Sequence, residues 1–260
     1  MFFHSATIHP IAGFCEPFSS LSHLLGAWVV RAFALPLLRR GRGERGRALS
    51  LAIFVATALF ALSMSGIYHC LPWGSPGRAL FQRLDHAGIF ILIAGSFTPP
   101  HVILFRRAWR WGMLALIWGL ATVGVILSVF AFQSIPDNLY LVSYVGLGWI
   151  GIFSWLKARR CCGFAAVKPV LWEALAYTTG ALMVYTQRPV LIPGVIEAHE
   201  LFHVAVLIGL AYHWRFLLGI ADGRARAGAA EAGQAMNPVP GEPWAGESPL
   251  CPAQGQSDPE

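Results

Sequence analysis

The sequence predicts an all-α membrane protein, and three observations support this prediction. Of 260 residues, 56% are hydrophobic and only 12% are charged, whereas an average soluble domain has about 25% charged residues. Residues 49–71, 111–135 and 139–156 contain no Asp, Glu, Lys or Arg, and a helix needs about 20 apolar residues to cross a bilayer. These runs also lack the alternation of barrel strands. The composition excludes a soluble enzyme, a disulfide-stapled secreted module and a nucleic-acid-binding protein, although the net charge is +6.

Seven apolar segments, separated by charged or Pro- and Gly-containing breaks, define the predicted spans. They cover residues 18–38, 49–71, 84–105, 111–135, 139–156, 170–187 and 195–218. Each is predicted to be a helix, because the bilayer offers no water to backbone groups. The expected organisation is a short extracytoplasmic N-terminus (1–17), a seven-helix transmembrane domain (18–220) and a cytoplasmic tail (221–260). The Ala-, Gly-, Pro- and Glu-rich composition of this tail predicts disorder.

The distribution of Lys and Arg predicts the orientation of the bundle. Fifteen of these residues lie in the breaks after the first, third and fifth spans, or at the end of the last span and in the tail. Only Arg78, Arg83 and Arg188 lie in the breaks on the opposite side. By the positive-inside rule, the N-terminus is outside and the tail is cytoplasmic.

Four ionisable residues are predicted at one membrane face, where such groups are costly and normally face a partner or a cavity. His69 closes the second span, Asp85 opens the third, and His199 and His203 open the seventh. The last two are four residues apart, so both lie on one helix face. Together with His69 they offer three nitrogens, which with a solvent position form the ligand set of a catalytic zinc site.

The neighbouring polar residues suggest roles around that metal. Zinc lowers the pKa of its bound water to about 7, and Asp85 is placed to act on that water as a general base or to orient it. Ser65 lies one turn deeper than His69 on the same face and could donate a hydrogen bond near the metal. His213 lies about 21 Å beyond His199 along the helix axis, too far to share the ion. The alternative is that these side chains only join helices, where each interhelical hydrogen bond stabilises the bundle by about 0.6–2 kcal/mol.

Residues 199–203 also match H-E-x-x-H, the metalloprotease helix motif in which the Glu is the general base. Val206 and Gly209 stand where a metzincin has Gly and His. Glu200 points 100° away from His199, and a carboxylate near a helix start is also favoured by the helix dipole. An intramembrane zinc protease is therefore the rival mechanism.

Three motifs together resemble those of the haemolysin III-like membrane proteins. This family is related to the progestin and adipoQ receptors, which include the adiponectin receptors, and is similar to the alkaline ceramidases. The motifs are Ser65-x-x-x-His69, residues 84–99 (LDHAGIFILIAGSFTP), and His199-x-x-x-His203 followed by His213-Trp214 at the spacing of the family's later His-aromatic pair. A weaker opening motif places Glu16, Ser22, His23 and Gly26 in register, with Ser19 where the family usually has Asn. The resemblance covers about residues 14–220.

The resemblance implies a seven-helix bundle with Zn²⁺ held by His69, His199 and His203 and a water shared with Asp85. It also implies hydrolysis of a lipid amide such as a ceramide, so the expected partner is a membrane lipid. A receptor or membrane-homeostasis protein with structural zinc is the alternative, and the sequence leaves the oligomeric state open. Adiponectin receptors place the N-terminus and zinc site on the cytoplasmic side, whereas the charge distribution here predicts the reverse. The short N-terminus favours a bacterial member, located in the cytoplasmic membrane.

Overall fold

The computed structural model describes residues 8–10 and 13–224, and this part of the chain is helical, with no β-strand. Most of the tail predicted to be disordered, residues 225–260, lies outside the described residues, as do residues 1–7 of the N-terminal segment. A 3₁₀ turn, Phe132–Ser134, joins the fourth helix to the fifth. The helices are α1 (Pro17–Arg40), α2 (Arg45–Cys70), α3 (Pro76–Leu104), α4 (Arg107–Phe130), α5 (Asp137–Trp149), α6 (Gly151–Cys162), α7 (Phe164–Thr186) and α8 (Ala198–Ile220).

Six helical segments of the described chain are long and apolar enough to cross a membrane. They are α1, α2, α3, α4, α8, and α5 with α6 taken together as Asp137–Cys162. The prediction of an all-α membrane protein is thereby confirmed. The remaining predicted span, 170–187, falls in α7, a helix of 23 residues that carries Lys168 and Glu173. Because these two charges and several polar residues lower its hydropathy, α7 is not among the six, and the count of seven spans stays a prediction.

Large apolar side chains cover the outside of the bundle as well as its core. Leu37, Leu51 and Leu217 are completely buried, whereas Trp28 and Phe130 are 66% and 83% exposed. A soluble monomer rarely exposes apolar surface of this extent. The outer surface is therefore suited to contact with lipid.

Local capping fixes the helix starts that surround the candidate site. Pro17 and Pro76 occupy the first turns of α1 and α3, where a missing backbone N–H costs nothing. Ser75 caps α3 by accepting a hydrogen bond from the Arg78 amide, 3.2 Å away. Glu197 and Glu200 form a capping box at the start of α8, in which each side chain accepts from the other residue's amide.

Helix packing brings these starts together. α2 packs between α1 and α3, α3 also contacts α4, and α8 lies against α7 and α1. Since α2 runs antiparallel to its neighbours, its C-terminal end meets the N-terminal ends of α1, α3 and α8. His69, Asp85, His199 and His203 thus occupy one end of the bundle, as the sequence predicts.

An internal cavity extends from that end through the bundle. Along α3 its wall includes Asp85 and Phe105, which are separated by about 30 Å of helix at 1.5 Å per residue. His23 of α1 and residues of α2, α5, α6, α7 and α8 complete the wall. α5 and α6 meet at Ile150, which keeps a helical backbone (φ −55°, ψ −27°) and whose amide still donates to the Gly146 carbonyl at 3.2 Å. Gly148 and Gly151, on either side of this junction, line the cavity. A Cβ atom at Gly148 would meet nothing within 4 Å, whereas one at Gly151 would lie 3.1 Å from the Phe97 ring, which also lines the cavity.

Candidate metal centre

Three buried histidines converge where α2 ends and α8 begins. His69 lies in the last turn of α2, and His199 and His203 lie in the first two turns of α8. Their exposed fractions are 0%, 8% and 2%, respectively. The Nε2 atom of His199 is 3.4 Å from Nε2 of His69 and 3.1 Å from Nε2 of His203. The structure brings these three predicted side chains together.

Their spacing fits a metal ion. Two nitrogens that each lie about 2.0–2.1 Å from a tetrahedral zinc ion are roughly 3.3 Å apart. The two Nε2 separations, 3.4 Å and 3.1 Å, lie on either side of that value, and all three ligand atoms lie within 4.8 Å of one another. Three imidazole nitrogens that converge on one buried point can hold a metal ion.

A buried ion pair orients His69. The Glu16 carboxylate is hydrogen-bonded to Nδ1 of His69 and to the guanidinium of Arg78. Arg78 also donates to the carbonyl oxygens of Tyr68 and Leu71, at 3.1 Å and 2.8 Å, at the end of α2. A carboxylate acceptor keeps the imidazole proton on Nδ1, which leaves the Nε2 lone pair for a metal. Glu16 therefore sets the tautomer that the site needs.

His23 of α1 supports His203 from the side. The two imidazoles are stacked, with ring centroids 3.9 Å apart and planes inclined by 26°. His23 is 5% exposed, and neither of its ring nitrogens has a hydrogen-bond partner in the described chain. α1 is fixed against α2 by the Ser20 hydroxyl, which donates to the Gly66 carbonyl over 2.8 Å. The N-terminal end of α1 thus forms one wall of the histidine cluster.

Asp85 and Ser65 lie beside the histidines on the cavity wall. Ser65 is buried one turn before His69 in α2, and Asp85 is partly exposed in the third turn of α3. Their side chains are adjacent. The wall also includes His199. A molecule in the cavity would therefore meet both the Asp85 carboxylate and the edge of the histidine cluster.

Glu200, the acidic residue of the H-E-x-x-H match, is occupied by other donors. Its two carboxylate oxygens accept from the Ser19 hydroxyl at 3.1 Å and from the Glu197 amide at 3.0 Å. Glu200 is only 1% exposed. These contacts match the interpretation of Glu200 as a carboxylate at a helix start.

Sequence reasoning did not identify three of the supporting residues. Glu16 and His23 appear in it only as parts of the opening motif, although Glu16 precedes α1 as its N-cap residue and His23 follows seven residues later, about two helical turns along. That spacing is the signal that points to them. Arg78 appears only as a loop cation in the charge distribution, yet it is 4% exposed. No sequence pattern distinguishes it, because its burial depends on Glu16 reaching it from another helix.

Comparison with known proteins covers the region that contains the site. A family model described as Haemolysin-III related matches residues 14–214. Hemolysin-3 of Bacillus cereus is 26% identical over 200 residues, which are 74% of this chain and 85% of that protein. The heptahelical transmembrane protein ADIPOR2 of Oryza sativa subsp. japonica is 28% identical over 177 residues, or 62% of this chain and 77% of that protein. The ADIPOR-like receptor IZH1 of Eremothecium gossypii is 27% identical over 218 residues, which are 75% of this chain and 65% of that protein.

Proposed function

The chain belongs to the haemolysin-III-related family, whose model matches residues 14–214. From this premise we propose that it is a zinc-dependent hydrolase in the membrane, which cleaves lipid amides such as ceramides. The observation that carries the proposal is the position of Asp85. Its carboxylate lies on the wall of an internal cavity that also reaches His199 of the histidine cluster. A carboxylate that only joined helices would not need access to such a cavity.

The chain's own residues supply the metal site of the proposed enzyme. His69, His199 and His203 would hold the ion, since three histidine nitrogens with an open fourth position are the ligand set of catalytic zinc. Zinc in such a site supplies Lewis-acid activation of a water molecule and of a substrate carbonyl oxygen. Glu16 and Arg78 hold the His69 ring in the required orientation and tautomer.

Asp85 is the proton-transfer group of the proposed reaction. Its carboxylate accepts a proton from the water whose oxygen adds to the amide carbonyl carbon, and returns that proton to the nitrogen as the C–N bond breaks. The products are a fatty acid and an amine. Ser65, adjacent to Asp85, orients the carboxylate through its hydroxyl.

The rest of the cavity suits the acyl chain of a lipid. Its wall is mainly apolar and includes Leu92, Ile93, Phe97, Leu141 and Val145. Such a wall excludes water from the reacting centre and contributes roughly 0.8 kcal/mol for each buried CH₂ group. The substrate class is therefore a lipid with a long apolar chain and a carbonyl near one end.

The proposal includes a seven-helix topology. α7 is 23 residues long, which spans about 35 Å at 1.5 Å per residue, and it packs against the membrane-spanning α8. With α7 as the seventh span, the termini lie on opposite sides, and the distribution of basic residues supports an N-terminus and a zinc site on the outside. The location proposed is the bacterial cytoplasmic membrane, which is supported by the similarity to Hemolysin-3 of Bacillus cereus.

One observation favours a second function, that of a receptor or membrane-homeostasis protein in which zinc is structural. The contacts around the cluster, from Glu16, Arg78 and His23, tie α1, α2, α3 and α8 together at one end. A metal held by His69, His199 and His203 would join α2 directly to α8 at that point. The protease mechanism has less support, because both oxygens of Glu200 already accept hydrogen bonds.

A release assay tests the proposed function. Metal-loaded, full-length protein in lipid nanodiscs is incubated with ceramides, other lipid amides and lipid esters, and free fatty acid is measured. We expect release from amides that stops when a chelator removes zinc and resumes when zinc is restored. Protein that holds stoichiometric zinc but releases no fatty acid from any of these lipids would support the structural-zinc function instead.

A further inference from the structure

A second polar cluster lies at the far end of the same cavity. His213 of α8 pairs with Glu173 of α7, with 2.9 Å between Nδ1 and a carboxylate oxygen. His101 of α3 pairs with Ser154 of α6, with 2.9 Å between Nε2 and the hydroxyl oxygen. All four residues line the cavity. The cavity therefore has polar groups at both ends and an apolar middle.

The Nε2 atom of His213 is the unusual feature of this cluster. It is buried and has no hydrogen-bond partner in the described chain, and His213 is only 4% exposed. A buried polar atom without a partner costs about 1–3 kcal/mol, so each such atom in a folded protein requires an explanation. His213 lies on the cavity wall, but less than 1 Å² of Nε2 itself is exposed, so a ligand group in the cavity supplies the missing partner only when the side chains around Nε2 move aside.

The neighbours of His213 restrict the chemistry of that ligand group. A carboxylate would lie close to the Glu173 carboxylate, and like charges this near repel one another. A methyl end would leave Nε2 unsatisfied. A hydroxyl both donates and accepts, so it can pair with the nitrogen whether or not that nitrogen carries a proton.

The distance between the two polar ends sets the length of the ligand. His199 and His203 precede His213 on α8 by 14 and 10 residues, or about 21 and 15 Å at 1.5 Å per residue. C–C bonds of ~1.5 Å in a zigzag advance an extended chain by roughly 1.25 Å per carbon. The gap therefore corresponds to roughly 12 to 17 carbons.

We infer that the far end of the cavity, formed by His213 and Glu173, is a hydroxyl-recognition subsite. Its ligand is a long-chain lipid whose acyl chain carries a hydroxyl at or near the end remote from the carbonyl. This inference rests on the proposed function for the carbonyl end, and it narrows the substrate class from long-chain amides to hydroxylated ones. His213 acts here in binding and takes no part in the reaction at Asp85.

The test compares two fatty acids that differ by a single hydroxyl. Binding of 16-hydroxyhexadecanoic acid and of hexadecanoic acid to the metal-loaded, full-length protein in nanodiscs is measured by titration calorimetry. We expect the hydroxylated acid to bind roughly tenfold more tightly, the upper range for one hydrogen bond. Equal affinities would overturn the inference and indicate that a water molecule satisfies His213.

Two variants assign the preference to His213. His213→Asn keeps a donor near the position of Nδ1 for Glu173 and removes Nε2, so the affinity ratio should fall to about one while the affinity for hexadecanoic acid is retained. The double variant H213F/E173L replaces the pair with apolar side chains and should give the same ratio if His213→Asn does not fold. Tyr212→Phe, one residue away and outside the cavity wall, is the matched control and should keep the preference. A tenfold preference that persists in both His213 variants would also overturn the inference.

Failure of this inference and failure of the proposed function give different results. If the protein hydrolyses lipid amides but binds the hydroxylated acid no more tightly, the subsite inference is wrong and the proposed hydrolase function is supported. A preference without hydrolysis keeps the subsite and removes the enzymatic function. If neither fatty acid binds, the subsite inference is wrong, and the release assay alone decides the proposed function.

Discussion

The imidazole of His23 lies against the imidazole of His203, with ring centroids 3.9 Å apart. The two rings belong to α1 and α8, at opposite ends of the described chain. The contact restricts the His203 ring on the side of the metal site that faces α1. Since a group that positions a ligand typically changes metal affinity 10–100-fold when lost, this contact has a measurable consequence.

We expect His23→Ala to weaken zinc binding by roughly tenfold, because His203 loses the flat surface that restricts its ring. His23→Phe should retain most of the affinity, since a phenyl ring can stack in the same place. Competition with a zinc chelator of known affinity measures both values. If His23→Phe weakens binding as much as His23→Ala, then His23 acts through its nitrogens and not through stacking.

The three histidines should be jointly required for the metal. His69→Ala and His203→Ala each remove one of three converging nitrogens, so both variants should lose stoichiometric zinc after purification. His101→Asn is the matched control, because His101 is equally buried but belongs to the far end of the cavity. Atomic absorption on purified protein measures the content. Full zinc in His203→Ala would exclude the proposed site.

Asp85→Asn separates the two proposed functions. A general base contributes typically about 10²–10⁴ in rate, so fatty acid release should fall by about that factor while the zinc content remains unchanged. Asp137→Asn, a carboxylate at the start of α5 outside the cavity wall, should have wild-type turnover. Undiminished biological activity in Asp85→Asn, with zinc retained, would favour the receptor or homeostasis function.

The buried pair of Glu16 and Arg78 should stabilise the protein as well as the site. Glu16→Gln leaves the Arg78 guanidinium buried without its counter-charge, which costs about 3–5 kcal/mol in comparable cases. We expect a clear fall in thermal unfolding temperature and weaker zinc binding. Glu44→Gln is the control, because Glu44 also accepts two hydrogen bonds but from an exposed helix start, where a cap contributes about 1 kcal/mol. Equal losses in the two variants would contradict the assignment.

The sequence predicts those parts of the site that depend on position within one helix. The spacing of His199 and His203 places both on one face of α8, and the order of spans places His69 and Asp85 at the same end. The contact of Glu16 with His69 and Arg78 depends instead on how α1 docks beside α2 and α3, which no periodicity specifies. The junction of α5 and α6 at Ile150 could not be predicted either, because it lies inside an uninterrupted apolar run and its backbone stays helical.

The burial of Arg78 strengthens the predicted orientation of the bundle. Because Glu16 neutralises Arg78 inside the protein, only Arg83 and Arg188 remain as basic residues in the breaks on that side, against fifteen basic residues on the other. We therefore expect Arg188 to face the outside and Arg42, in the turn after α1, to face the cytoplasm.

Single cysteines at these two exposed positions test the orientation, in a background in which all five native cysteines are Ser. A membrane-impermeant maleimide should label Arg188→Cys in intact cells and Arg42→Cys only after permeabilisation. The opposite pattern would place the metal site on the cytoplasmic side. Five predicted spans separate Arg42 from Arg188, so the two positions should lie on opposite sides. Labelling of both positions in intact cells would mean an even number of spans between them. The assignment of α7 and of the α5–α6 segment as spans would then be wrong.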